Sequence, residues 1–71
     1  GGAGPLILNA ANEVAVDGFL RETIHFSDIA LLVEGALTRM DQPLPRSIPD
    51  VLALDAEVRR QVRSSLQELA A

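Results

Sequence analysis

Phe26-Ser27-Asp28-Ile29-Ala30-Leu31-Leu32-Val33-Glu34-Gly35-Ala36-Leu37-Thr38-Arg39-Met40 carries the plainest helical signal in this chain. Ile29, Leu32, Val33, Ala36, Leu37 and Met40 fall on one side of a helix, in a narrow stripe suited to packing against another helix. Ser27 is read as the N-cap, since its hydroxyl can accept from a free backbone N–H, and Asp28 adds a favourable first-turn anion. Phe26 and Leu31 flank that cap at the spacing of a hydrophobic staple. Arg39 places a cation in the last turn, and Asp41-Gln42-Pro43-Leu44-Pro45 ends the helix, because residues before proline are pushed out of the α region. On this reading Leu37→Ala is expected to cost about 2–5 kcal/mol.

Upstream, the polar spelling Asn9-Ala10-Ala11-Asn12-Glu13 opens a second helical pattern. Asn9 is taken as its cap and Glu13 as its first-turn anion, so Asn9→Ala should cost roughly 1 kcal/mol. Leu8, Ala11, Ala15, Phe19 and Leu20 recur at helical spacing, widened by Val14 and Val16, which predicts a helix over 10–21. Gly18 inside it costs roughly 1 kcal/mol against alanine unless another segment packs closely there. Capping alone does not explain two asparagines and a glutamate in one turn. Asn9, Asn12 and Glu13 are therefore also read as a docking cluster. Ahead of them, residues 1–7, with Gly1-Gly2-Ala3-Gly4-Pro5, read as a flexible leader.

Downstream, Ser47-Ile48-Pro49-Asp50 looks like a further helix start, with Ser47 as cap and Asp50 as a short version of the capping-box acid. Val51, Leu52 and Leu54 supply a short third helix. Asp55 can cap again and start a fourth, with Val58, Val62, Leu66 and Leu69 on its inner face. Pattern alone leaves open whether Asp55 interrupts one long helix. With no strand-like alternation, the expectation is an all-α bundle of three or four helices.

Composition narrows the function. Seventy-one residues make a single domain, near the size at which one core barely suffices. There is no cysteine and only two aromatic residues, so the core is aliphatic and neither disulfide nor thiolate metal site supplements it. The net charge is −4, a poor match to nucleic acid, whose affinity rests on phosphate neutralisation. No apolar run approaches a membrane span, and the leader lacks the basic and apolar regions of a signal peptide. A cytoplasmic setting with neither nucleic-acid nor membrane partners is expected.

Candidate chemistry is thin. His25 is the sole histidine, and with Asp28 it supplies too few ligands for a metal site. Ser27, His25 and Asp28 are too close in sequence to converge as a nucleophilic triad. Gly1-Gly2-Ala3-Gly4 lacks the preceding strand and the Lys-Ser/Thr ending of a phosphate loop. Arg59, Arg60 and Arg63 lie beside Asp55 and Glu57 and read as a solvated, ion-paired face. A serine at the start of a second helix in a small acidic protein also brings acyl carriers to mind. Phe26-Ser27-Asp28-Ile29 departs from their Asp-Ser-Leu order. No catalytic, cofactor-binding or metal-binding residue is assigned.

Three blocks in register carry a resemblance: residues 8–16 with Phe19-Leu20, then Ile24-His25-Phe26-Ser27-Asp28-Ile29, then Asp50-Val51-Leu52-Ala53-Leu54-Asp55-Ala56. From Pro5 onward the chain resembles the C-terminal helical domain of the 1-deoxy-D-xylulose 5-phosphate reductoisomerase family. The resemblance implies that residues 1–7 are an inter-domain linker and 8–71 the helical domain. It implies a bacterial, homodimeric parent enzyme that makes 2-C-methyl-D-erythritol 4-phosphate with NADPH and a divalent metal (Mg or Mn), in non-mevalonate isoprenoid synthesis. The partner of this segment would be the upstream cofactor and catalytic domains of the same polypeptide. The family's metal-binding acids and cofactor glycines lie upstream of this segment, and the Asn-Ala-Ala-Asn-Glu block lacks the lysine of the family's central Asn-to-Glu motif. Two other readings stand beside this one: a free-standing helical interaction module, and a degenerate acyl carrier.

Overall fold

The structure, a computed structural model, describes residues 2–70; Gly1 of the leader and Ala71 of the expected domain lie outside them. Three helices follow in order: α1 (Gly4–Leu20), α2 (Phe26–Arg39) and α3 (Ile48–Ala70). The all-α expectation holds. Among the described residues the only β-type pairing is an isolated bridge between Gly2 and Pro43. α1 packs against both other helices and forms the middle of the arrangement. At 1.5 Å per residue the 23 residues of α3 run about 35 Å, which accounts for the 36 Å long axis of the molecule.

The start of α1 corrects the sequence reading. The helix begins at Gly4, so Asn9 is not a cap but an exposed residue in mid-helix. Pro5 is the reason: its fixed φ and missing N–H suit the first turn, where that donor has no partner in any case. Gly2 and Ala3 do not behave as a loose leader either. Ala3 is buried and donates its N–H to the Gln42 carbonyl at 2.9 Å, beside the Gly2–Pro43 bridge. The earlier start also changes the inner face. Ile7, Ala10, Ala11, Val14, Ala15 and Gly18 are buried, whereas Leu8 and Leu20 stand exposed. We therefore expect Asn9→Ala to leave thermal stability unchanged or raise it by up to about 0.7 kcal/mol, since alanine is the better helix former. A loss of 1 kcal/mol in chemical denaturation would restore the cap.

α1 ends without a glycine. Glu22 takes the left-handed conformation (φ 62°), the Thr23 N–H reaches the Gly18 carbonyl at 3.0 Å, and the Glu22 N–H reaches the Phe19 carbonyl at 2.9 Å. This is the Schellman arrangement, which satisfies the last carbonyls of a helix. The Thr23 hydroxyl donates a second bond to Gly18 O at 2.8 Å. Leu66 of α3 lies over Gly18, and a Cβ there would meet the leucine's Cδ1, so an alanine at this position requires Leu66 to shift.

α2 starts two residues earlier than a cap at Ser27 implies. His25 is the N-cap residue, and Asp28, at the third helical position, accepts the His25 backbone N–H at 2.9 Å. A carboxylate acceptor makes a stronger bond than a hydroxyl, and this one sets the boundary. Ser27 lies within the first turn, exposed. The staple moves with the boundary: Ile24, buried, and Ile29, packed against the core, now hold its positions, while Phe26 and Leu31 face outward.

α3 is one continuous helix, so Asp55 starts nothing. It lies between buried Leu54 and Val58 and binds Arg59 one turn on, at 2.8 Å. An acid four residues before an arginine supports a helix that runs on through both. At the α3 start, Ser47 Oγ accepts from the Asp50 N–H at 3.2 Å. The three inner faces meet in a core of Ile, Leu, Val and Ala that contains no buried polar group among the described residues.

Candidate functional site

Asn9, Asn12 and Glu13 all stand exposed, outside the buried face of α1. The helix does not aim them at one centre. Glu13 is drawn to the α3 edge, where its Oε1 accepts from Arg59 Nη2 at 3.0 Å. Asn9 and Asn12 remain on the open face among Pro5, Leu8 and Val16.

Arg59 joins carboxylates from two helices. It bonds Asp55 through Nε at 2.8 Å and Glu13 through Nη2 at 3.0 Å, with its side chain only 26% exposed. Its hydrogen bond to Asp55, and then that to Glu13, hold the guanidinium above its ordinary pKa. The group therefore stays charged at any working pH. As a partly solvated pair, Arg59–Glu13 contributes on the order of 1 kcal/mol or less. Its contact ties the edge of α1 to α3. Arg60 pairs with Glu57 and Arg21 with Asp17 on the surface. Arg39 reaches from α2 to Ser65 Oγ at 3.3 Å.

Asp55 and Arg59 belong to the ion-paired face that the sequence suggests, but the sequence does not show Glu13. That partner lies 46 residues away. The other candidates stay apart. The Asp28 carboxylate is taken up by the His25 main chain, not its imidazole, so Ser27, His25 and Asp28 form no relay. An open groove of about 580 Å³ runs between α1 and α3 past Gly18, Arg63, Leu66 and Gln67. Among the described residues no group of three or more His, Asp or Glu side chains is placed to hold a metal ion. The two carboxylates that meet across helices, Glu13 and Asp55, already share a cation in Arg59. The arrangement suits packing and orientation.

Comparison with known proteins gives these features a setting. The family model described as the DXP reductoisomerase C-terminal domain matches residues 1–61. A 1-deoxy-D-xylulose 5-phosphate reductoisomerase of Zymomonas mobilis is 45% identical over 71 residues, all of this chain and 18% of that protein. Its Synechococcus counterpart is 50% identical over 74 aligned residues, 97% of this chain and 18% of the relative. The Laribacter hongkongensis enzyme is 48% identical over 66 residues, 93% of this chain and 17% of the relative. The chain thus spans less than a fifth of the curated relatives it matches. No solved structure matches it. On the family match and these identities together, the chain belongs to the DXP reductoisomerase C-terminal domain family.

Proposed function

We propose that this chain is a non-catalytic structural domain of a 1-deoxy-D-xylulose 5-phosphate reductoisomerase, which packs against the rest of its polypeptide and fixes their relative orientation. The observation that carries the reading is the share of length: relatives so named match this chain over all of it, yet devote only 18% of their own residues to the match. The parent would convert 1-deoxy-D-xylulose 5-phosphate to 2-C-methyl-D-erythritol 4-phosphate with NADPH, as a homodimer in a bacterial cytoplasm.

NADPH and a divalent metal would be held elsewhere in that parent. The residues here do not fit either group. Glu13 and Asp55 are bridged by Arg59, a resident cation where a metal would need open carboxylates. Among the described residues no glycine-rich turn opens a helix after a strand, which is what a dinucleotide pyrophosphate requires. No step of the reaction is routed through these side chains.

The test is a titration of the 71-residue chain with NADPH and, separately, with sugar phosphate and Mn2+. We expect no cofactor binding by fluorescence and no turnover, whereas the full-length polypeptide consumes NADPH. NADPH oxidation by the short chain alone would overturn the scaffold reading.

A further inference from the structure

Both sides of α1 are poor in charge. Glu13 and Asp17 are its charged residues, and both sit at one edge, Glu13 on Arg59 of α3 and Asp17 on Arg21. The remaining outward positions, Pro5, the adjacent Leu8 and Asn9, then Asn12, Val16 and Leu20, are linked by three- and four-residue spacings and form a continuous strip. Leu8 is 47% and Leu20 71% exposed. At the Leu20 end, Phe19 meets Phe26 edge-to-face at 5.5 Å, and Phe26 is 72% exposed. The solvent side of α3 differs: Arg60, Gln61, Arg63 and Gln67 stand there.

A helix that is apolar most of the way round is a helix covered most of the way round. Neutral amides set among apolar side chains also match the centre of an interface, where charge is depleted. What covers the strip follows from the family match, and this step rests on the reading given under Proposed function. The matched family is a C-terminal domain, and the relatives extend to more than five times this length. In a C-terminal domain the rest of the polypeptide lies upstream, and here it would enter through Gly2 and Ala3, which are held on Pro43 and Gln42 at the first turn of α1. Covalent attachment at one end of the strip gives the preceding segment a high effective concentration over it.

We propose that Leu8, Asn9, Asn12, Val16 and Leu20 form the surface that the polypeptide preceding Gly1 covers in the full-length protein. Leu8, Val16 and Leu20 supply the apolar contact, and the Asn9 and Asn12 amides bond polar groups of the covering segment.

Thiol labelling of the full-length polypeptide tests this. Asn12→Cys and Leu20→Cys probe the strip, and Ser64→Cys, exposed on α3, serves as the reference. Maleimide uptake is followed at each site by peptide mass. Both strip positions should label about tenfold or more slowly than Ser64→Cys, a protection that persists on dilution. Equal rates at all three sites overturn the proposal. Protection that disappears on dilution also overturns it, and assigns the strip to a second copy of the chain. Reductoisomerase turnover of the unsubstituted polypeptide is measured in the same preparation. An active enzyme with a freely labelled strip defeats this inference alone, whereas an inactive one with a protected strip defeats the functional reading and keeps the surface.

Discussion

Ile7→Ala is expected to leave the domain largely unfolded at room temperature. Ile7 is 1% exposed and one of the largest fully buried side chains, so the substitution removes buried carbon from the core itself. Truncating such a residue costs about 2–5 kcal/mol, the lost transfer energy plus the cavity left behind. A single core in a chain this short rarely supplies more than about 3–5 kcal/mol. The two numbers are of one size, and folding does not survive the subtraction. The neighbouring Leu8→Ala, on the exposed side, should stay within about 0.5 kcal/mol of the parent. Urea denaturation of both variants decides it. Equal losses at the two positions would mean that α1 is turned the other way. Leu37→Ala, which the sequence singles out, should cost less than Ile7→Ala because Leu37 is only partly buried.

That contrast shows where the sequence can be read and where it cannot. The apolar stripe of α2 gives an unambiguous helix, and Leu32, Val33 and Ala36 from it are buried. Its boundary was harder to place. Ser27 and Asp28 are both good first-turn residues, and only the geometry shows that the acid's bond to the His25 N–H outranks the hydroxyl. In α1 two start signals compete, the amide of Asn9 and the ring of Pro5. Composition favours the asparagine, yet proline is the residue that a first turn accepts without loss. Choosing between them moves the inner face from Leu8 to Ile7. Asp55 presents the same difficulty in α3, since one carboxylate can cap a new helix or support an existing one. Arg59, four residues on, resolves it.

The candidate surface was legible in kind but not in detail. Two amides and an acid within one turn mark Asn9, Asn12 and Glu13 as more than helix filler, and all three are exposed. Their division of labour depends on which helix lies beside them. Glu13 faces α3 and finds Arg59, whereas Asn9 and Asn12 face outward with no charge between them. No local pattern encodes a contact made across 46 residues. Gly18 belongs to the same class: a helix glycine reads as a defect until Leu66 is seen to lie over it.

The small residues of α1 imply a second large effect, opposite in origin to the first. Ala10, Ala11 and Ala15 are all fully buried, so both neighbouring helices approach the α1 backbone closely along one face. Ala11→Leu places three more carbons in the middle of that approach. Overpacking of this kind costs about 1–3 kcal/mol through displaced backbones and strained rotamers. Helix propensity cannot be the cause, because leucine is nearly as good a helix former as alanine. Ala53→Leu, at an exposed position of α3, should accordingly be almost silent. Ile7 and Ala11 stand four residues apart and adjoin on the same buried face. The double variant Ile7→Ala, Ala11→Leu therefore keeps the total side-chain volume and moves it one turn along the helix. Its destabilisation should fall below the sum of the single effects by about 0.5–3 kcal/mol, the range seen for residues in contact. Strict additivity in thermal or urea unfolding would mean that the two positions do not share one packed space, and the close approach of the helices over Ala11 would have to be abandoned.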